Sequence, residues 1–174
     1  ATELAEGVVE FAEKQGELAQ EIREYRPMSP HAIFNEFITN RVEADFRATR
    51  EGLFGRTINA QAQTKTVLVN DGKQTYAIFH LAETPLEFEP GGTDWNRLVA
   101  QLIRMYGTVS LKELRFLAVD PRIIVAPISE ADVQKLEGTP YKLVEDPYRF
   151  QEAMLIRADE GYYGRRKIRI APKN

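Results

Sequence analysis

The chain has 174 residues, 43% of them hydrophobic and 28% charged, with a formal net charge of −3 and no cysteine. That length holds one ordinary domain with a core, or a domain plus an appendage, and the composition is that of a folded protein. No apolar run approaches 18 residues and no thiol is present, so spanning helices, disulfides and thiolate chemistry are excluded.

The first segment, Thr2 to Arg26, contains no proline and reads as a helix. Leu4, Val8, Phe11, Leu18, Ile22 and Tyr25 fall on one stripe, with Gln15 in the one polar seam position. This is a 3.5-residue repeat over about three heptads, the spacing that keeps a seam facing a partner helix. Two readings stay open: a helix laid on its own domain, with Val9, Ala12 and Ala19 widening the apolar face, or a helix pair between chains. The same segment is acidic and lacks a basic leader, so it does not read as a secretory signal, and with the absence of cysteine it points to the cytoplasm.

Arg26-Pro27-Met28-Ser29-Pro30 ends that helix and starts another, with Ser29 as N-cap and Pro30 at the first helical position. Ile33, Phe34, Phe37, Ile38, Val42 and Phe46 then form an apolar helical face, and Gly52 is the stop. From Arg56 the period changes to two: Ile58, Ala60, Ala62, Thr64 and Thr66 alternate with Asn59, Gln61, Gln63 and Lys65. Asp71-Gly72 lies between this run and the β-prone TYAIFHLA, which predicts a hairpin with Leu68 opposite Thr75 and Val67 opposite Tyr76.

Glu83 to Gly92 reads as a polar connection, a candidate boundary or hinge. Trp95, Leu98, Val99, Leu102, Ile103 and Tyr106 predict a short helix stopped by Gly107, and Ser110 with Glu113 fits a capping box. Ile123-Ile124-Val125 reads as a buried strand, Ser129 as the cap of a helix through Leu136, and Tyr141 to Val144 as a strand. The chain closes on a predicted hairpin, Glu152 to Ala158 against Arg165 to Ala171.

Catalytic templates find little to work with. Only two histidines are present, Gly-x-Ser-x-Gly and His-Glu-x-x-His are missing, and so is a phosphate-binding Gly-Lys-Ser/Thr loop. His31 reads as a helix-start residue and His80 as a hydrogen-bonded strand residue. A carboxylate metal site would have to gather Asp120, His80 or the Glu145-Asp146 pair, and these turn acids fit turn geometry equally well. The sequence calls for no metal and no cofactor.

Charge is distributed unevenly: residues 1–26 hold seven acids against three bases, residues 139–174 five against eight. The last predicted strand carries Arg165, Arg166, Lys167 and Arg169, with Tyr162 and Tyr163 at its turn. Rings that stack on bases beside cations that meet phosphates suit single-stranded nucleic acid, while cations on a terminal strand also block edge pairing.

The expectation is an α+β chain: a helical N-terminal extension over 1–52, then a mostly antiparallel sheet with two or three short packed helices over 53–174. Its leading functional reading is a non-catalytic assembly or binding protein that forms a homo-oligomer through Leu4, Val8, Phe11, Leu18 and Ile22. Nucleic-acid binding through Tyr162, Tyr163, Arg165, Arg166, Lys167 and Arg169 is the alternative, and a metal-assisted enzyme the third. A membrane partner is not expected.

Overall fold

A computed structural model describes residues 11–16, 28–86, 95–146, 148, 152–156 and 167–169. It divides into two compact units, residues 1–33 and 34–174. In the first, residues 11–16 are helical and Ser29 caps the start of α1 (Pro30–Asn40). The Ala32 N–H donates to Ser29 Oγ at 3.2 Å and the Ile33 N–H to the Ser29 carbonyl at 3.0 Å. The first satisfies a donor that the start of the helix leaves orphaned, and the second is the helix's first i to i−4 bond.

The second unit is built mostly of strands. One sheet has the order β2-β1-β5-β6, with β1 Val42–Glu51, β2 Thr57–Thr66, β5 Arg97–Arg104 and β6 Gly107–Ser110, all antiparallel. The other has the order β7-β8-β4-β3-β9, with β3 Leu68–Asn70, β4 Thr75–His80, β7 Arg115–Leu117, β8 Asp120–Ile128 and β9 Tyr141–Lys142. Only the β3–β9 pair in it is parallel. Val67 alone separates β2 from β3, so one nearly continuous run passes from the first sheet into the second. A two-stranded antiparallel ribbon, β10 Glu152–Met154 with β11 Lys167–Arg169, falls where the closing hairpin is expected. The broad α+β class holds, but with strands predominating.

One expected helix ends early and gives way to a strand, and another is replaced by a strand. The apolar face from Ile33 to Phe46 ends as helix at Asn40, and β1 begins at Val42. Val42, Ala44, Phe46 and Ala48 are buried there, while Glu43 and Arg47 are exposed. The segment from Trp95 to Tyr106 is likewise β5, with Ala100 and Leu102 buried toward the core. The Ser110–Glu113 capping box is also corrected: Ser110 ends β6, and no helix follows it.

The Asp71-Gly72 hairpin forms with a four-residue loop, so Leu68 pairs with Ala77 and Val69 with Tyr76. Asp71 Oδ1 accepts from the N–H groups of Lys73 and Gln74 at 2.9 and 2.8 Å, and Gly72 takes φ 93°. The register differs by two residues from the two-residue-loop expectation, and an even shift leaves every side chain on its expected face. The strand expected at 123–125 extends over Asp120–Ile128; its two prolines lie outside Ile124–Val125, the part paired on both sides.

The facing sheets close one core. Phe46, Leu102 and Val109 come from the first sheet, Leu68, Phe79, Ile124 and Ile128 from the second, and Val133 and Leu136 from around α2 (Glu130–Lys135). The Phe46 and Phe79 rings meet edge to face, with centroids 5.1 Å apart and an 85° interplanar angle. Ser129 caps α2 as expected, accepting from the Asp132 N–H at 3.2 Å. Arg104 then ties the helix ends to β5. It donates to the Leu136 carbonyl at 2.9 Å, to the Glu137 carbonyl, and to the Thr39 carbonyl near the end of α1 at 3.1 Å. A cation suits these carbonyl-rich helix ends. No helix among the described residues is long and apolar enough to cross a membrane.

Candidate interaction surface

The hairpin β1–β2 extends past its neighbour. β5 pairs with β1 only from Glu43 to Thr49, whereas β1–β2 pairing continues to Glu51 opposite Thr57. The five residues between close tightly, with the Gly52 N–H donating to the Arg56 carbonyl at 2.6 Å. Phe54 lies in the left-handed region at φ 63°, ψ 31°, and Gly55 follows at φ 71°. A non-glycine residue there costs about 1–2 kcal/mol, which the turn must offset. The conformation drives two large apolar side chains outward: Leu53 is 85% exposed and Phe54 101%.

Below the tip lies an open groove of about 980 Å³, lined by Arg50, Leu53, Phe54, Arg56, Ile58 and Asn96 among others. Its base is braced. The Arg50 guanidinium stacks over Trp95 at 5.1 Å from the ring centroid, and Trp95 Nε1 donates to the Pro85 carbonyl at 3.1 Å. Asn96 Oδ1 accepts from the Glu51 N–H at 2.7 Å. The carboxylate of Asp45, 7% exposed, accepts from Arg47 Nη2 at 2.8 Å and Gln61 Nε2 at 3.2 Å, which lock β1 to β2. Packed aromatics and paired charges at the base with bare apolar groups at the tip make a surface suited to binding. Contiguous exposed apolar groups on a rigid support commonly mark contact sites.

Of the residues singled out in sequence, Phe11 lies in the helical stretch 11–16 and is 65% exposed. Leu4, Val8, Leu18 and Ile22 lie outside the described residues. Lys167 and Arg169 lie on β11, opposite Met154 and Glu152 in register. Tyr162, Tyr163, Arg165 and Arg166 lie outside the described residues.

His80, Asp120 and Asp146 each make local hydrogen bonds. His80 Nδ1 accepts from the Ala82 N–H at 3.2 Å, capping the single turn Leu81–Glu83. Asp146 Oδ1 accepts from the Tyr148 N–H at 2.9 Å. Asp120 takes a two-pronged contact from Arg122, Nε to Oδ1 at 2.9 Å and Nη2 to Oδ2 at 2.8 Å. Among the described residues no three His, Cys, Asp or Glu side chains converge as metal ligands.

Hydrogen bonds from the Arg122 side chain and N–H, with the nearby positive charge, hold the Asp120 carboxyl down to about 2. Its folded value is below its unfolded one, so the stability it contributes is present above pH about 4 and is lost as pH falls through 2. A carboxyl-detected NMR titration is expected to give a midpoint near 2, moving up toward the ordinary aspartate range in Arg122→Ala. An Asp120 midpoint unchanged by that substitution contradicts the pairing.

The hairpin was missed in sequence because Gly52 reads equally well as a helix stop. The available signal is Gly52-Leu-Phe-Gly55, two large apolar residues bracketed by glycines between polar runs. The fold and this site together define a mostly antiparallel, two-sheet domain that presents an apolar hairpin tip. No family model, curated protein or solved structure matches the chain.

Proposed function

We propose that this chain is a non-catalytic assembly or binding protein that self-associates through its N-terminal amphipathic helix. The carrying observation is Phe11: residues 11–16 are helical, and this seam residue is 65% exposed in the single chain. An exposed residue in an apolar repeat of 3.5 residues is stabilised when a second seam covers it. The bare Leu53 and Phe54 support a contact role independently of that helix.

Light scattering on the intact chain and on Phe11→Glu with Leu18→Glu tests this reading. The intact chain is expected to form an oligomer, and the double substitution to raise its dissociation constant at least about 100-fold, since two buried seam carboxylates per helix cost several kcal/mol. An intact chain that stays monomeric at high concentration removes it.

Nucleic-acid contact through the C-terminal strand is the second reading, supported by Lys167 and Arg169 standing two residues apart on β11. Glu152 pairs in register with Arg169, which weighs toward a guarded edge. A single-stranded oligonucleotide in the same light-scattering experiment separates the two. A mass gain that disappears at high salt supports nucleic-acid binding, and no gain at low salt removes it.

A further inference from the structure

We propose that the outer edge of β2 pairs antiparallel with β2 of a second copy, joining the two β2-β1-β5-β6 sheets into one. This surface is distinct from the N-terminal helix and stands or falls separately from it.

Among the described residues β2 is the outermost strand of its sheet, and it is ten residues long. The Gly52–Arg56 hydrogen bond and the unbroken β1–β2 register fix which backbone groups turn which way. Hydrogen-bonded and non-hydrogen-bonded pairs alternate along an antiparallel ladder. Ile58, Ala60 and Ala62 therefore direct their N–H and C=O groups at β1, and Thr57, Asn59, Gln61 and Gln63 direct theirs away from it. The Leu111 N–H bond to the Ala100 carbonyl at 2.8 Å, two strands over, agrees with this alternation. Thr57, Ile58, Asn59, Gln61 and Gln63 are all exposed.

Free edges are normally blunted by a charge, a proline, a bulge or shortness. From Thr57 to Thr64 the edge has no charged residue and no proline, and its register has no bulge. Among the described residues the other edges of the two larger sheets are short: β6 has four residues, β9 two, and β7 three with a register shift. Eight uncharged edge residues in a row, with Lys65 beyond them, are a ready template for another strand.

The side chains favour a second copy as that strand. Pairing centred on Ala60 sets it opposite itself, where the non-hydrogen-bonded position brings Cα atoms within about 4.5 Å and a small residue fits. Asn59 then faces Gln61, Ile58 faces Ala62, and Thr57 faces Gln63. Amides meet amides, apolar groups meet apolar groups on the core side, and no like charges oppose each other. The same register carries Arg56 of one copy to Thr64 of the other, beside a cleft whose lining includes Glu43 and Glu83 along with Lys65.

The absence of cysteine makes the test direct. Ala60→Cys places one thiol per chain at the proposed two-fold axis, and Ser110→Cys places one on the opposite edge strand. With oxidised glutathione as the electron acceptor, Ala60→Cys is expected to yield at least about tenfold more disulfide dimer than Ser110→Cys, because the former pair starts within bridging distance. The excess should persist when Phe11→Glu and Leu18→Glu are added. Gln61→Pro removes an outward N–H that the β1 ladder does not use, and also the Gln61–Asp45 bond; in the folded chain the dimer dissociation constant should rise about tenfold. Equal yields at the two cysteines, or no disulfide dimer at either, overturn the proposal; the second result leaves the edge to a strand of another protein. A folded Gln61→Pro chain with unchanged dimer affinity also overturns it. If Gln61→Pro does not fold, the cysteine pair decides.

Discussion

Gly107→Ala is expected to destabilise the domain by about 3 kcal/mol or more, a penalty of the overpacking kind. An added Cβ would lie 2.1 Å from the Lys135 carbonyl oxygen, 2.9 Å from its carbon and 3.2 Å from Leu136 Cα. All three are backbone atoms at the end of α2, so no rotamer change relieves the contact. Relief requires lifting the helix end away from β6. That motion would expose Leu136, which is fully buried, and pull the carbonyls of Leu136 and Glu137 from Arg104. In a thermal melt the midpoint should fall by on the order of 10 °C. A fall of less than about 2 °C would show that β6 and α2 are not packed this closely.

Phe46→Ala is expected to cost about 3–5 kcal/mol, the range for emptying a buried aromatic site. Phe46 is fully buried and lies at the middle of β1, between Ala62 of β2 and Ala100 of β5. Those flanking alanines cannot swing in to fill the space. Its ring also supplies the edge-to-face contact with Phe79 that joins the two sheets. Phe46→Leu, which retains more of the volume, should recover roughly half of the loss. Urea unfolding of the three chains checks the order. Equal midpoints for Phe46→Ala and the unsubstituted chain would contradict a core shared by both sheets.

Much of the local structure was legible because it depends on short-range chemistry. Ser29 before Pro30, Ser129 before Glu130 and Asp71-Gly72 between alternating runs each produce the cap or turn they imply. The two misread segments share one cause. Val42 and Phe46 are four apart, a spacing that fits both a helix turn and two strand repeats. Ala44 and Ala48, buried between and beyond them, mark the period of two, but alanine is equally at home in a helix. In β5 the apolar Val99 and Ile103 occupy the face opposite Leu98 and Leu102, so alternation is masked and helical spacing imitated.

The candidate surface was less legible than the fold. Leu53 and Phe54 signal a contact only once the turn places them in solvent, and no periodicity carries that information. The bare edge of β2 depends on strand order, which a single sequence does not encode locally. What sequence does carry is the uncharged run from Thr57 to Thr64. Its lack of guards becomes informative once β2 is known to lie at an edge.

Self-association is tested most directly by sedimentation of the intact chain across a wide concentration range. The expected result is a concentration-dependent mass that rises above the 19.9 kDa of one chain toward a whole multiple of it. A mass that stays at 19.9 kDa at every concentration contradicts assembly through either the N-terminal helix or the β2 edge.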